Sequence, residues 1–224
     1  MLYLNLLFRY KNTNNARFTP VSDMFIRLID DIHQCTLCQD FLPQGVNPVL
    51  QISPSAKVLI AGQAPGLKAH QSSIPFDDKS GERLRQWLGV DSALFYNADI
   101  FAILPMAFCY PGKAKSGDLA PRPECALKWR DKLLQQLPHL ELIVAIGSYA
   151  QHWHLPDNNE QTLTATVKNW QKYYRSTRPA IIPIPHPSPR NNIWLKKNPW
   201  FEDKVVPELQ AHIKALLKVL NTNK

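Results

Sequence analysis

The chain has 224 residues, 45% of them hydrophobic, which is enough for one domain with a full hydrophobic core. A net charge of +8 and a pI near 9.4 favour a polyanionic partner, most often nucleic acid. The alternative is that the excess of basic residues serves only solubility. No apolar run approaches the roughly 20 residues of a membrane span, and the first basic residues follow the apolar start, whereas in a secretory signal they precede it. We therefore expect a cytoplasmic protein with no membrane segment.

The predicted elements follow a polar N-terminal stretch. We interpret residues 1–16 as a loosely ordered tail and residues 17–224 as a single domain. Apolar residues at helical spacing predict a first helix over 21–33, with Ser22 or Asp23 as its N-cap. Four short, nearly all-apolar runs predict buried strands at residues 57–61, 99–104, 141–146 and 180–184. Between and after these strands, helices are predicted at residues 80–88 (N-capped by Ser80), 122–136, 148–154, 162–174 and 202–218.

The alternation of strands and helices predicts an α/β fold with a parallel sheet of about four strands. Ligands of such sheets bind beyond the carboxyl ends of the strands. The loops in which we expect functional residues therefore begin at Gly62, Pro105, Gly147 and Pro185.

Four cysteines, Cys35, Cys38, Cys109 and Cys125, are all the thiols of the chain. The first two form a C-x-x-C pair, and the other two flank a loop rich in Gly, Lys and Pro. In a cytoplasmic protein such cysteines are more often metal ligands than disulfides. Thiolates suit zinc or an iron–sulfur cluster, and the spacing alone does not choose between them. Unligated core cysteines are the simplest alternative.

The first predicted strand ends in the segment Gly62-Gln63-Ala64-Pro65-Gly66, a tight turn whose backbone N–H groups can face a ligand. Any turn after a strand can have this composition, so the motif is weak by itself. Phe76 follows in a polar loop, where an aromatic ring either stacks on a base or packs in the core.

The fourth predicted strand ends in a proline-rich loop, residues 185–191, in which prolines on both sides hold His186 rigidly. Farther along, the cations Arg190, Lys196 and Lys197 are interspersed with Trp194 and Trp200, a mixture that suits a phosphate backbone and unstacked bases. A solvated loop with two tryptophans packed on the core is the alternative interpretation.

The three motifs G-Q-A-P-G, I-P-F and H-P-S-P, in this order along the chain, resemble those of the uracil-DNA glycosylase superfamily. The order and approximate spacing of the four cysteines are similar to those of its family-4 branch, which carries a [4Fe–4S] cluster. The resemblance covers roughly residues 20–218. It implies a three-layer α/β/α fold around a mostly parallel four-stranded sheet, and a monomer that binds DNA containing damaged bases. It also implies a [4Fe–4S] cluster, ahead of zinc, on Cys35, Cys38, Cys109 and Cys125.

The resemblance further implies a role for individual residues. Such an enzyme flips a damaged base into a pocket and hydrolyses its N-glycosidic bond. His186 matches the residue that hydrogen-bonds the leaving base, and Phe76 matches the aromatic residue that stacks on it. The resemblance thus implies three groups of site residues. His186 and Gln63 are catalytic, Gly62, Ala64 and Phe76 bind the base, and Pro187, Ser188 and Arg190 bind DNA.

Three positions depart from the family pattern. Family 1 has an acidic residue at the position of Ala64, where family 4 also has Ala, and family 4 has Glu at the position of Gln63. The Asn that reads uracil would fall at Pro105, which has neither a side-chain amide nor a backbone N–H. Candidate substitutes are Asn97, Asp99 and His70 for reading the base, and Asp77 or Asp78 for orienting the water.

The expected function is removal of a deaminated base from DNA, with uracil as the first substrate. Pro105 leaves hypoxanthine or xanthine open as the lesion. The missing acidic residue and the missing Asn leave open a non-catalytic, damage-binding module that keeps the fold and the metal.

Overall fold

The computed structural model of the chain describes residues 20–155 and 157–222. Internal contacts divide the chain into two units, residues 1–34 and residues 35–224. In the first unit, helix α1 (Pro20–His33) confirms the helix predicted there. This helix begins before Ser22 and Asp23, so neither residue is its N-cap. The predicted tail, residues 1–16, lies outside the described residues.

The second unit is built on a sheet of four strands: β1 (Val58–Ala61), β2 (Phe101–Ile103), β3 (Leu142–Ile146) and β4 (Ala180–Ile184). All three strand pairings are parallel, and the spatial order is β2–β1–β3–β4. The sheet therefore grows in one direction from β1 to β2 and in the other from β1 to β3, which creates the switch point at which α/β sheets bind ligands. The predicted α/β fold and its four parallel strands are confirmed.

Burial of apolar side chains on both faces stabilises the sheet. Every residue of the four strands is buried, as expected for a parallel sheet with helices on both faces. Burying one Ile, Leu or Phe side chain contributes about 1.5–3 kcal/mol. Large helix residues that pack in the same core include Leu84, Trp87, Phe201 and Leu209.

Nine further helices surround the sheet in the described part of the second unit: α2 (Leu67–Ser72), α3 (Lys79–Leu88), α4 (Ser92–Phe95), α5 (Pro123–Leu134), α6 (Gly147–His154), α7 (Leu163–Lys168), α8 (Trp170–Ser176), α9 (Asn192–Lys197) and α10 (Val206–Thr222). None of the described helices is long and apolar enough to cross a membrane.

Several boundaries differ from the predictions. The helix predicted over 162–174 is two helices, because the backbone of Asn169 leaves the helical conformation between α7 and α8. A π-helical turn, Phe201–Val205, precedes α10. Strand β2 is shorter than the predicted run, since the amides of Ile100 and Phe101 bond to the carbonyl of Asn97 in a turn.

Helix α3 is capped by Asp78, and the prediction of Ser80 as its N-cap is wrong. The Asp78 Oδ1 atom accepts a hydrogen bond of 2.9 Å from the backbone N–H of Gly81. The helix ends at Gly89, which has a φ of +68° as a C-terminal glycine cap commonly does. This capped start fixes the direction of the loop that carries Phe76 just before the helix.

Candidate active site

A cavity of about 350 Å³ opens at the carboxyl ends of the strands. Its wall combines the turn after β1, the residue Pro105 after β2 and the loop after β4, three of the four places where functional residues are expected. Gly147, the fourth, does not line it. The lining contains most of the predicted site residues: Gly62, Gln63, Ala64, Phe76, His186, Ser188 and Arg190.

His186 lies in this wall directly after β4, and the backbone around it fixes the orientation of its ring. The N–H of Ser188 donates a 3.2 Å hydrogen bond to His186 Nδ1. The side-chain amide of Asn191 donates a 2.7 Å hydrogen bond to the His186 carbonyl, which anchors the same turn. Because Nδ1 accepts a hydrogen bond, the neutral ring carries its proton on Nε2, which is left to donate.

Burial lowers the pKa of His186 below its usual value of 6.5. The carboxylates of Asp78 and Asp118 act against this effect and raise the pKa of His186, but by less than burial lowers it. The net result favours a neutral imidazole at physiological pH. A neutral Nε2–H donor is the form that can hydrogen-bond a carbonyl oxygen of a departing base.

Phe76 is held in the cavity wall by an unusual backbone and by two glycines. Its φ is +56°, in the left-handed region that a phenylalanine rarely adopts. A Cβ atom on Gly62 would lie 3.3 Å from Phe76 Cζ, and a Cβ atom on Gly81 would overlap the Phe76 carbonyl oxygen. The Phe76 ring packs edge-on against Phe95, with the ring centroids 6.2 Å apart. This ring is therefore placed by backbone contacts that tolerate no side chain at Gly81.

The motif turn after β1 is tied to the segment after β2. The amide of Met106 donates to the carbonyl of Gly62 at 2.9 Å, and the amide of Ala107 donates to the carbonyl of Gln63 at 3.1 Å. The side-chain amide of Gln63 donates to the backbone carbonyl of Leu119 at 3.3 Å. Pro105 lines the cavity between these contacts and has no amide to offer a base.

Two carboxylates line the cavity, and sequence reasoning named only one of them. Asp78 was a candidate, whereas Asp118 was missed because it lies in an irregular loop between Cys109 and Cys125. A Cβ atom on Gly66 would lie 3.7 Å from Asp78 Oδ2 and 3.9 Å from Asp118 Oδ2, so both carboxylates border the motif turn. The one sequence signal that could have indicated Asp118 is its position in a loop flanked by cysteines.

The sequence model of the Uracil DNA glycosylase superfamily matches residues 50–210, which is most of the chain and includes all three motif loops. The chain belongs to this superfamily. Membership supports a DNA glycosylase role with DNA as the partner. The match includes Cys109 and Cys125 and begins after Cys35 and Cys38.

Four candidates for reading the base or orienting the water are not part of the cavity lining. Asn97 and Asp99 precede β2 and line a second cavity of about 570 Å³ together with Lys57. They lie at the amino ends of the strands, whereas the site lies at the carboxyl ends, so the prediction that they read the base is wrong. His70 and Asp77 also do not belong to the lining of the site.

The loop after β4 is held by an arginine from α3. Arg83 Nη1 donates to the carbonyls of Pro187 at 3.3 Å and Ser188 at 3.2 Å, and Arg83 Nη2 donates to Asn192 Oδ1 at 2.8 Å. Sequence reasoning did not identify Arg83, because an arginine on an amphipathic helix is ordinarily a solvated residue. Its three hydrogen bonds position the loop that carries His186.

The predicted DNA-contacting residues differ in exposure. Arg190 is exposed at the rim of the cavity, Ser188 is half-buried and Pro187 is buried. Lys68 and Lys79 also line the cavity, so three cations including Arg190 surround its opening. This positive rim suits the phosphates on either side of a flipped nucleotide.

The four cysteines of this superfamily member are all half-buried, and none forms a disulfide. The backbone N–H of Phe108 donates to Cys125 Sγ at 3.4 Å. Burial raises the pKa values of Cys109 and Cys125, and the charges of Cys35 and Cys38 act in the same direction. The resulting pKa is about 11 for Cys109 and about 12 for Cys125. The four thiols therefore lie within electrostatic range of one another. Within the described ranges, no three His, Cys, Asp or Glu side chains are grouped as a site for a single metal ion.

A buried arginine lies behind the cavity floor. Arg130 of α5 is 1% exposed, and its Nη1 donates to the carbonyls of Leu104 at 2.9 Å and Pro105 at 3.1 Å. Arg130 Nη2 lies 2.7 Å from His154 Nε2, which accepts because a guanidinium only donates. Burial and the positive charge of Arg130 lower the pKa of His154 to about 3. These contacts fix the chain where β2 runs into the site.

Proposed function

We propose that this protein is a monofunctional DNA glycosylase that removes a deaminated base, with uracil as its first substrate. The observation that supports this proposal most directly is the neutral His186, whose Nε2–H is free to donate within a cavity that Phe76 also lines. A cavity of about 350 Å³ lies in the size range of small-ligand pockets and suits a single flipped base.

In the proposed reaction the damaged nucleotide rotates out of the helix into the cavity, where the Phe76 ring stacks on the base. As the glycosidic bond breaks, negative charge develops on the base. His186 Nε2–H donates to a carbonyl oxygen of the base and stabilises that charge. A preorganised donor of this kind typically contributes a factor of about 10²–10³ to the rate.

The rim of the cavity supplies the contacts to DNA. Arg190, Lys68 and Lys79 bind phosphates beside the flipped nucleotide, and Ser188 lies in the loop that approaches the DNA. The hydrogen bonds from Arg83 hold that loop before DNA binds, which lowers the entropic cost of ordering it.

An excision assay tests this proposal. The full chain is incubated with single- and double-stranded oligonucleotides that carry one uracil, hypoxanthine or xanthine, and alkali then cleaves the abasic sites. We expect cleavage at uracil and none in the unmodified oligonucleotide. Cleavage only at hypoxanthine or xanthine would assign the other lesion, which Pro105 makes the second candidate. If all three substrates stay intact, the protein is a non-catalytic module and the enzyme proposal is wrong.

We also propose that Cys35, Cys38, Cys109 and Cys125 hold a [4Fe–4S] cluster. The donor set fits, because four thiols interact electrostatically and the backbone N–H groups of Phe108 and Asn47 hydrogen-bond Cys125 and Cys109. A cluster also spreads its ligands more widely than a zinc ion, which needs four sulfurs about 2.3 Å from one point. When bound, the group supplies a cross-link between the C-x-x-C segment and the loop that carries Asp118.

Metal analysis distinguishes the two groups that thiolates favour. Protein purified without oxygen should contain iron and acid-labile sulfide in equal amounts, and replacing Cys125 with Ser should remove both. Finding zinc without sulfide would assign a structural zinc site and overturn the cluster proposal.

A further inference from the structure

The proposed reaction needs a group that positions the attacking water, and the first motif does not provide one. The turn after β1 has Gln63 and Ala64, neither of which carries a carboxylate. Of the residues that line the cavity, Asp78 and Asp118 are the two with carboxylates. Both share the cavity lining with His186, and their charges raise its pKa.

Asp78 already has a structural role. Its Oδ1 atom accepts the N–H of Gly81 at 2.9 Å and caps helix α3. That cap fixes the turn in which the Phe76 carbonyl lies against Gly81. A carboxylate used in this way is a weaker candidate for accepting a proton from water.

Asp118 has carboxylate oxygens that can accept further hydrogen bonds, and it is accessible to water. Its carboxylate is exposed, and its hydrogen-bond partner within the described chain is the hydroxyl of the buried Tyr110, at the long distance of 3.5 Å. Asp118 Oδ2 lies 3.9 Å from the position of a Cβ atom on Gly66, at the edge of the motif turn. Its oxygens can therefore accept hydrogen bonds from a water molecule in the cavity.

The backbone around Asp118 is well fixed even though its side chain is exposed. The amide of Ala114 donates to the carbonyl of Gly117 at 2.9 Å, and the amide of Leu119 donates to the carbonyl of Gly112 at 2.8 Å. A Cβ atom on Gly117 would overlap Arg190 Nη1, so the Asp118 loop packs directly against the loop after β4. This contact between the two loops keeps Asp118 in the wall of the cavity that His186 also lines.

We propose that Asp118 is a catalytic carboxylate that positions and deprotonates the water of the glycosylase reaction. The C1′–N bond breaks and its electron pair leaves with the base. The water oxygen bonds to C1′ while one water proton passes to the Asp118 carboxylate and then to solvent. The base anion, held by His186, takes up a proton from solvent after release. This inference rests on the proposed glycosylase function.

Single-turnover excision kinetics with the full chain test this role. Asp118→Asn should lower the rate of base release by about 100-fold or more, because general-base groups contribute 10²–10⁴. Its affinity for an oligonucleotide with a non-cleavable abasic analogue should stay within about threefold, since the charge acts on the water and not on DNA binding. Glu82→Gln is the matched control, since Glu82 is an exposed carboxylate of α3 outside the cavity lining and should keep the wild-type rate.

Chemical rescue separates a proton acceptor from a structural residue. Formate ions should restore part of the excision rate of Asp118→Ala and leave the wild-type rate unchanged. If Asp118→Asn cuts at the wild-type rate, or if Asp78→Asn abolishes cleavage while Asp118→Asn does not, Asp118 is not the catalytic carboxylate and the glycosylase proposal stands. If the wild-type protein cuts no substrate, both proposals are wrong.

Discussion

His186 and His154 are both held neutral by burial, but they lie in opposite settings. His186 follows β4 and lines the cavity, with Nδ1 accepting from the Ser188 amide and Nε2–H left to donate. His154 ends α6 in the interior, where its Nε2 accepts from Arg130 and its neutral ring therefore carries the proton on Nδ1. The two rings are thus opposite tautomers, one available to a ligand and one used to satisfy a buried cation.

The difference teaches that a lowered pKa does not by itself identify a catalytic histidine. The pKa of His154 is lowered to about 3, yet its Nε2 is occupied by a protein donor and it lies outside the cavity lining. What distinguishes His186 is a free donor in a cavity beside Phe76 and two carboxylates. His154 instead fixes Arg130, and through it the carbonyls of Leu104 and Pro105 at the cavity floor.

The largest expected effect separates the two histidines by activity. His186→Ala should lower the excision rate by about 10²–10³, because it removes the proposed donor to the leaving base. His154→Gln keeps an acceptor for Arg130 and should retain most of the activity. Single-turnover assays of both variants check this, and equal losses would remove the distinction between them.

The next effect concerns stability and Arg130. Arg130→Met should destabilise the fold by about 3 kcal/mol, because the carbonyls of Leu104 and Pro105 and the ring of His154 lose their buried partner. Urea denaturation measures the change. Lys132→Gln, on the exposed side of the same helix, is the control and should shift the midpoint little.

The pH dependence of stability follows from the lowered pKa of His154. Since the unfolded histidine titrates near 6.5 and the folded one near 3, the unfolded chain binds more protons in this window. The free energy of unfolding should therefore fall as the pH is lowered from 6.5 towards 3. In His154→Gln the fall should be shallower by up to about 1.4 kcal/mol per pH unit. Denaturation at a series of pH values tests this, and identical slopes would contradict the assigned burial.

The smallest expected effect concerns the loop that carries His186. Arg83→Gln removes hydrogen bonds to Pro187, Ser188 and Asn192, so the loop must be ordered when DNA binds. We expect about a tenfold loss in kcat/KM with little change in thermal stability. Arg85→Gln, on the same helix but outside the cavity lining, serves as the control. Unchanged kcat/KM in Arg83→Gln would mean that the loop does not depend on Arg83.

The fold was predictable because its signals are local. The four strands are short apolar runs that end at glycine or proline, and the structure places them in one parallel sheet. Short helices such as α4 and α9 are four to six residues long, too few to show helical periodicity. Asp78 rather than Ser80 caps α3 because the choice depends on the strained turn at Phe76, which the sequence does not reveal.

The site was predictable where its motifs lie directly after strands. Gly62, Gln63 and His186 all follow a strand end and meet in one cavity. Asp118 and Arg83 were not predicted. Asp118 reaches the cavity from an irregular loop, for which the flanking cysteines are the one sequence signal. The role of Arg83 depends on three hydrogen bonds to a loop distant in sequence. The prediction of Asn97 and Asp99 failed because both precede β2 and lie at the other end of the sheet.

The central claim is that His186 is a neutral Nε2–H donor. Histidine ¹⁵N NMR spectra test this claim most directly. The resonances are assigned by their absence in His186→Ala and His154→Gln. We predict the Nε2–H tautomer for His186 and the Nδ1–H tautomer for His154 at pH 7, with His186 still mostly neutral at pH 6.5. An imidazolium at His186 at that pH, or a proton on its Nδ1, would contradict the account.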